Sequence, residues 1–152
     1  MIDIHAHILP GIDDGAPDLE ESVRICELAS NLGCEAVIAT PHQRHPAWWN
    51  AEPIQLGLLL KRVQKRVGGR LRLHLGAEIR VSEGFQRDLE AFESSGLVAL
   101  ADSRYLLLEF ERRQISVDPI ATVERVRAAG WVPIVAHPEL INAFTRDPGL
   151  AK

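Results

Sequence analysis

The sequence predicts an α/β fold in which parallel strands alternate with helices. Short apolar runs recur at intervals of about 30 residues, which is the usual size of a strand–helix–strand unit. Amphipathic stretches with helix-capping signals lie between most of these runs. The runs themselves are nearly uninterrupted, as expected of strands buried on both faces of a parallel sheet. Together these observations favour a parallel sheet, open or barrel-shaped, over an all-α or antiparallel fold.

Five strands are predicted from the apolar runs. They cover residues 2–4 running into His5-Ala6-His7, then 36–39, 71–75, 105–108 and 132–136. The third run alternates leucine with polar residues, which is typical of a half-buried strand. We therefore expect His74, which lies within that run, to be half-buried and structural.

Four helices are predicted between the strands. They cover residues 19–32, 54–67, 82–93 and 119–129. Asp18 with Glu21 resembles a capping box, Ser82 is a candidate cap, and Asp118 followed by Pro119 is a typical helix start. Three of the four helices are followed directly by glycine, which is common after a helix end.

The composition is that of a soluble globular protein. Of 152 residues, 46% are hydrophobic and 25% are charged, which is enough for one domain with a core. The net charge is −4 and the basic residues are scattered, so neither a nucleic-acid partner nor membrane insertion is expected. The N-terminus lacks the pattern of a signal peptide, and only two cysteines are present. These features predict a cytoplasmic location.

A residue able to bind a metal follows or ends every predicted strand. These residues are His5, His7, His42, Glu78, Glu109 and His137. Two side chains separated by one residue in a strand point to the same side, so the first two imidazoles can converge. The carboxyl ends of parallel strands meet at one edge, where active sites form. Histidines and carboxylates without thiolates suit zinc, manganese or iron, and shared carboxylates suit two or more ions.

The turn Asp13-Asp14-Gly15 follows the first strand and can bring a carboxylate back over the same edge.

Two further features lie in the loop after the second strand. His45 lies there beside Arg44 and could help to bind an anion. Trp48 and its neighbour Trp49 could form a lid or a partner surface, although aromatic loop residues often cover the edge of a core.

The two cysteines are predicted to be structural. A thiol phosphatase needs an arginine six residues after its cysteine, so that the guanidinium and backbone amides hold the phosphate. Leu32 and Thr40 occupy these positions after Cys26 and Cys34. Thiol-based phosphatase chemistry of this type is therefore excluded.

Six motifs occur in one order along the whole chain. They are Met1-Ile2-Asp3-Ile4-His5-Ala6-His7, Ile12-Asp13-Asp14-Gly15, Ala39-Thr40-Pro41-His42, Gly76-Ala77-Glu78-Ile79, Leu107-Leu108-Glu109-Phe110 and Ala136-His137-Pro138-Glu139. Together they resemble the PHP (polymerase and histidinol phosphatase) superfamily. Within it they resemble the bacterial manganese-dependent protein-tyrosine phosphatases of capsule and exopolysaccharide loci. The resemblance implies a distorted β/α barrel, here an incomplete one of about five β/α units.

The resemblance also implies the chemistry of the site. A centre of two or three ions would hydrolyse phosphotyrosine on a protein substrate, namely a bacterial tyrosine autokinase that controls polysaccharide export. Manganese is the expected metal, with zinc and iron as alternatives. The implied ligands are His5, His7, Asp14, His42, Glu78, Glu109 and His137. Glu78 would bridge two ions, and His42 is also a candidate catalytic acid.

The chain departs from the family pattern at two places. The family has Arg-Tyr after the last motif, where the arginine contacts phosphate, whereas this chain has Leu140-Ile141. The family also continues to a further Asp-x-His ligand pair, and this chain stops at Lys152. The expectation is a single PHP domain over residues 1–152 that is truncated at its C-terminus, with self-association as one way to cover open sheet edges.

Two alternatives remain open. The first is another PHP-type phosphatase, such as histidinol-phosphate phosphatase. The second is a non-catalytic metal-binding remnant, which Leu140 and the missing ligand pair favour. Amidohydrolases commonly carry a carboxylated lysine at a strand end, and Lys61, Lys65 and Lys152 all lie away from the predicted strand ends.

Overall fold

The computed structural model describes residues 1–111 and 117–141, and within these ranges seven strands and five helices form. The strands are β1 (Ile2–Ala6), β2 (Ala36–Ala39), β3 (His42–Gln43), β4 (Arg72–Leu75), β5 (Glu78–Arg80), β6 (Tyr105–Glu109) and β7 (Val132–Val135). The helices are α1 (Leu19–Asn31), α2 (Pro53–Val67), α3 (Phe85–Glu90), α4 (Phe92–Ser95) and α5 (Pro119–Ala128). Short 3-10 turns cover Gly68–Arg70, Leu100–Asp102 and Pro138–Leu140.

Every strand pair in this part of the chain is parallel. One sheet has the order β1-β2-β4 and the other has the order β3-β5-β6-β7. The predicted α/β fold with parallel strands is therefore confirmed. Among the described strands, β1 and β4 are the edges of the first sheet and β3 and β7 are the edges of the second, so the barrel is not closed.

The predicted number of strands was too low, because two short strands that were not predicted, β3 and β5, directly follow β2 and β4. Pro41 separates β2 from β3, and it has no N–H to give to a ladder. Gly76 and Ala77 separate β4 from β5. A side chain on Gly76 would come within 2.9 Å of Ile38 Cγ2 and 2.7 Å of Leu100 Cδ2, so only glycine allows this close approach. Both interruptions carry the chain from the first sheet into the second.

The caps predicted for two helices are present. Asp18 Oδ1 accepts a hydrogen bond of 2.8 Å from the backbone N–H of Glu21 at the start of α1. The Glu21 carboxylate binds Arg24 rather than turning back to Asp18. Asp118 Oδ1 accepts from the N–H of Ile120 at the start of α5. These bonds satisfy amide groups that have no partner within the helix.

The helix predicted over residues 82–93 was wrong in its bounds. The structure begins it at Phe85, and Ser82 contributes its backbone carbonyl, at 3.0 Å from the Phe85 amide, rather than a side-chain cap. Ala91 leaves the helical conformation and separates α3 from α4. Phe92 then packs against Trp131, with ring centroids 4.0 Å apart and the rings tilted by 36°. This tertiary contact overrides the helical periodicity of the segment.

Helices pack on the sheets through two main apolar clusters. Val63 of α2 is fully buried in the cluster that contains Val37 of β2 and Leu71. Val126 of α5 is fully buried in the cluster that contains Leu106 and Leu108 of β6. All four residues of β2 are buried, as predicted for a central parallel strand. These clusters fix the strands whose carboxyl ends carry the candidate site.

Candidate metal centre

The end of strand β1 and the residue that follows it bring two imidazoles to one point. His5 and His7 have one residue between them, and their Nε2 atoms lie 3.4 Å apart. The prediction that they face the same side is therefore confirmed. Each side chain is about one fifth exposed, at 22% and 20%, so both are open to a small ligand.

The turn after β1 brings two carboxylates to these histidines. Asp13 Oδ2 lies 2.8 Å from His7 Nδ1 and also accepts from the backbone N–H of His42 at 3.1 Å. Asp14 Oδ1 lies 3.7 Å from His7 Nδ1 and 3.4 Å from His42 Nε2. Gly15 makes this approach possible, because a Cβ there would lie 2.1 Å from the carbonyl oxygen of His7.

The remaining predicted residues lie at the first or last position of a later strand, or just beyond one. Glu78 begins β5 and is 1% exposed, and its Oε2 lies 3.3 Å from His42 Nδ1. Glu109 ends β6, with Oε2 at 3.6 Å from the same nitrogen. His137 follows β7 with a left-handed backbone (φ 47°), a strained conformation for a residue other than glycine, and its Nε2 lies 3.7 Å from Glu78 Oε1.

The structure thus brings all seven predicted ligands together around one open cavity of about 280 Å³. They form three overlapping groups in which the potential ligand atoms lie within 4.8 Å of one another. The groups are His5, Glu78 and His137, then His7, Asp14 and His42, and finally His42, Glu78 and Glu109. Glu78 and His42 each belong to two groups.

The residues fit a divalent metal on geometric grounds. Four buried side-chain atoms in the described part of the chain have no hydrogen-bond partner, namely His42 Nδ1, both carboxylate oxygens of Glu78, and Glu109 Oε2. A buried polar atom without a partner costs about 1–3 kcal/mol, so four of them around one cavity need an explanation. Cations bound by imidazole nitrogens and carboxylate oxygens would satisfy all four.

The electrostatics of the cluster also favour cations. Burial lowers the pKa of His7, but the adjoining carboxylates of Asp13 and Glu78 outweigh it and raise that pKa to about 10. Burial would raise the pKa of Glu78, yet the imidazoles of His5 and His7 hold it well below its usual range. The buried carboxylate therefore stays ionised and draws positive charge toward the cavity.

Two supporting residues were missed by sequence reasoning. Asp13 binds His7 Nδ1 and leaves His7 Nε2 facing the cavity, which fixes the ring orientation. Burial would raise the pKa of Asp13, but hydrogen bonds from His7 and from the Gly15 amide keep it low. Arg80 Nη1 binds Glu109 Oε1 at 2.9 Å and leaves Oε2 toward His42. The two adjacent aspartates in the sequence could have indicated a supporting role for Asp13. No feature of the sequence indicated one for Arg80.

The other sequence predictions have different outcomes. His74 lies outside the three groups, as predicted, but it is exposed rather than half-buried, since its face of β4 turns to solvent. His45 and Trp48 lie beside His42, with ring centroids 4.8 and 6.3 Å from it. Leu140, in the place of the family arginine, is 41% exposed.

Both cysteines are free and buried, which agrees with their structural assignment. Burial raises the pKa of Cys26 to about 11, so its thiol stays protonated near neutral pH. Among the described residues, no helix combines the length and the apolar character needed to cross a membrane.

The fold and the cluster define a parallel β/α protein with a candidate metal centre at its strand ends. Over residues 1–150 the chain matches the family described as capsular polysaccharide synthesis, CpsB/CapC. The chain belongs to this family. The resemblance to capsule-locus phosphatases drawn from the motifs is thereby confirmed.

Individual relatives agree with this assignment. The chain is 33% identical over 153 residues to tyrosine-protein phosphatase YwqE of Bacillus subtilis, covering 99% of this chain and 59% of the relative. It is 30% identical over 149 residues to tyrosine-protein phosphatase CpsB of Streptococcus pneumoniae, covering 97% and 60%. The chain therefore spans about three fifths of the length of these relatives.

A solved structure supports the fold in detail. It comes from crystal structures of YwqE and CpsB of the same two species, described as unique metal-dependent tyrosine phosphatases. The TM-score is 0.86 at 32% identity, over 99% of this chain and 60% of the other. The incomplete barrel of the present chain thus corresponds to part of a larger metal-dependent phosphatase fold.

Proposed function

We propose that this protein is a metal-dependent phosphomonoester hydrolase, and specifically a cytoplasmic protein-tyrosine phosphatase that acts on a bacterial tyrosine autokinase in capsule or exopolysaccharide synthesis. The single observation that carries the proposal is the convergence of seven histidines and carboxylates on one cavity, with four buried polar atoms lacking partners. Membership of the CpsB/CapC family and relatives named tyrosine-protein phosphatases support the substrate class.

The proposed ligands are His5, His7, Asp14, His42, Glu78, Glu109 and His137, holding two or three ions of which manganese is the expected kind. When bound, such ions polarise phosphoryl oxygens and make water a nucleophile near neutral pH. The mixed imidazole and carboxylate donors suit manganese, zinc or iron and offer no thiolate.

The protein side chains have separable roles in this proposal. Glu78 belongs to two groups, with Oε1 toward His137 and Oε2 toward His42, so it is the proposed bridging carboxylate. His42 faces Glu78 with Nδ1 and Asp14 with Nε2. Its Nε2 is the candidate donor of a proton to the leaving phenolate, while Nδ1 is its proposed ligand atom.

A second candidate function is metal-dependent binding of phosphorylated protein without hydrolysis. The observation that favours it is Leu140, an exposed apolar side chain where the resembling family carries a phosphate-binding arginine. Loss of a guanidinium that binds phosphate in a bidentate manner weakens both binding and charge stabilisation in the transition state. An assay that measures both hydrolysis and binding of a phosphotyrosine peptide separates this candidate from the phosphatase.

The test measures hydrolysis of a phosphotyrosine peptide and of the matching phosphoserine peptide by the whole chain. Activity is expected with manganese and is expected to disappear with a chelator. The double variant His5→Ala/His7→Ala should lose both activity and bound metal by elemental analysis. His74→Ala is the matched control, because it removes an exposed histidine of β4 that lies outside the three groups.

The outcomes are distinct. Metal-dependent hydrolysis that the double variant loses and the control keeps supports the phosphatase. Full metal content without hydrolysis, together with binding of the phosphotyrosine peptide, supports the second candidate. Equal metal content in wild type and the double variant would contradict the ligand assignment itself.

A further inference from the structure

The loop of residues 44–50 places an indole ring beside the candidate metal centre. The Trp48 ring is nearly parallel to the His42 imidazole, with an interplanar angle of 9° and centroids 6.3 Å apart. The His45 ring lies 4.8 Å from His42 and 6.2 Å from Trp48. These three rings form one continuous aromatic surface, which we call the aromatic wall.

Trp48 has no evident packing role in the part of the chain that the structure describes. Its ring is half-buried, yet it belongs to none of the three apolar clusters and is absent from the residues packed against them. Its ring neighbours are the two histidines of the wall. The interpretation that this loop aromatic covers a core edge is therefore not supported for Trp48.

The loop is held in place by its own hydrogen bonds. Asn50 Nδ2 donates to the carbonyl oxygens of His45 and Trp48 at 3.0 and 3.1 Å, and Asn50 Oδ1 accepts from the His45 N–H at 3.1 Å. At the start of the loop, Arg44 forms an ion pair of 2.9 Å with Asp88. These bonds fix the backbone that carries Trp48, so less conformational entropy of the loop is lost when a ligand contacts the ring.

The position of the wall fits an aryl group. His42 is a member of two of the three candidate ligand groups, so a phosphate at the cluster lies next to the wall. The ester substituent of that phosphate must extend out of the cavity, and the Trp48 indole lies just outside the cavity lining, beside His42. Aromatic rings pair favourably with aromatic rings beyond the area they bury, whereas a methyl or hydroxymethyl group gains far less.

We propose that Trp48 is the specificity-determining residue that receives the aryl group of the phosphate ester and so favours aryl over alkyl phosphates at this site. The inference rests on the proposed function, because it requires phosphate binding at the metal cluster. It goes beyond that function in assigning aryl selectivity to one residue outside the ligand set.

The test uses two probes that no phosphatase can cleave, phenylphosphonate and methylphosphonate, titrated calorimetrically into the manganese-loaded chain. Wild type should bind phenylphosphonate more tightly. Trp48→Ala should weaken phenylphosphonate binding by roughly 3- to 10-fold, the range expected of one aromatic pair. Methylphosphonate binding should stay within twofold, which also shows that the variant is folded and loaded.

Two further variants sharpen the result. Trp48→Phe should retain most of the preference for phenylphosphonate, since it keeps an aromatic face. Trp49→Ala is the matched control, because Trp49 is 55% exposed and makes none of the ring contacts seen for Trp48. It should leave both affinities unchanged.

The failures are distinguishable. An unchanged affinity ratio in Trp48→Ala, or equal binding of both probes by wild type, would overturn this inference and leave the proposed phosphate site standing. Absence of binding of either probe to the loaded wild type would overturn the phosphate site and this inference with it.

Discussion

The imidazole of His7 is held from both sides by carboxylates. Asp13 binds Nδ1 at 2.8 Å, and Glu78 Oε2 lies 3.1 Å from Nε2. A metal at Nε2 would replace the proton that the neighbouring carboxylates otherwise keep on this ring, and the acidic partner on Nδ1 would then fix the tautomer and direct the Nε2 lone pair toward that metal. Asp13 is therefore an orienting residue, although its neighbour Asp14 is the one that resembles a family ligand.

The first prediction concerns Asp13→Asn. The amide keeps the shape of the side chain but loses the charge that holds His7, so manganese affinity should fall about 10- to 100-fold with the fold retained. A competition titration with a metal indicator measures this affinity. Asp18→Asn is the matched control, since asparagine also caps helices and Asp18 lies at α1. Equal affinities in the two variants would remove the role assigned to Asp13.

The second prediction concerns the cysteines. Cys26 is 1% exposed with its pKa raised to about 11, and Cys34 is 7% exposed. At pH 8 about 0.1% of a thiol with that pKa is ionised, so alkylation of native protein should be very slow. Iodoacetamide followed by mass spectrometry should label both thiols only after unfolding, and metal-dependent hydrolysis should survive treatment. Rapid labelling of native Cys26 that abolishes activity would contradict this.

Sequence reasoning succeeded where a local rule fixes the direction of a side chain. The spacing of His5 and His7 in a strand was enough to predict their convergence. The spacing alone could not decide which of Asp13 and Asp14 orients His7 and which faces the metal cavity. Both lie in a turn whose backbone depends on contacts with His7 and His42. Arg80 was missed since its partner Glu109 is brought beside it only by the parallel register of β5 and β6.

At the scale of elements, the turn over residues 13–15 is the most constrained piece of the site. The Ala16 N–H donates to the His7 carbonyl oxygen at 3.1 Å, which folds the turn back onto β1. Gly15 sits inside this fold, where a Cβ would lie 2.4 Å from His7 Cβ. Glycine is needed at this position because the backbone of residue 15 lies against His7, and not because its φ is unusual.

The third prediction compares two glycines. Gly15→Ala should destabilise the chain by about 1–3 kcal/mol, as expected of overpacking, and should also weaken metal binding. Gly57→Ala should instead stabilise it by up to about 1 kcal/mol, because Gly57 lies inside α2 with nothing within 4 Å of its Cβ position. Urea unfolding measures both. A neutral Gly15→Ala would show that the turn can move away from β1.

Element boundaries were predicted best where a strong local signal exists. Asp18 and Asp118 marked two helix starts correctly. The second strand was also predicted to end before Pro41, as it does, yet β3 just after that proline was not predicted because two residues are too few to form a recognisable apolar run. The break at Ala91 has no comparable signal, since it depends on the packing of Phe92 against Trp131, which is distant in the sequence.

At the scale of the whole molecule, the candidate ligands connect most of the fold. His5 lies in β1 of the first sheet and His7 directly follows that strand, whereas His42, Glu78 and Glu109 come from β3, β5 and β6 in the second. A metal that binds only the folded arrangement stabilises it in proportion to the logarithm of its concentration over Kd.

The fourth prediction follows from this linkage. Manganese at about 100 times its Kd should add roughly 2.7 kcal/mol of stability, which corresponds to a rise in Tm of about 5–10 °C for a chain of this size. Differential scanning calorimetry with manganese and with a chelator measures the shift. His74→Ala should show the full shift and His5→Ala/His7→Ala should show almost none. The same shift in the double variant would place the metal elsewhere.

The interruptions at Pro41 and Gly76-Ala77 also have a mechanical consequence. They create a seam between the two sheets, and two hydrogen bonds flank it: the Gly76 N–H donates to the Ala39 carbonyl oxygen at 2.8 Å, and the Glu78 N–H donates to that of Pro41 at 3.0 Å. A bound ion would hold the two sheets together at this seam, because its candidate ligands come from both sheets. Removing the ion should therefore loosen the seam before the helices respond. Amide hydrogen exchange should show this as faster exchange at Gly76 and Glu78, with α1 little changed.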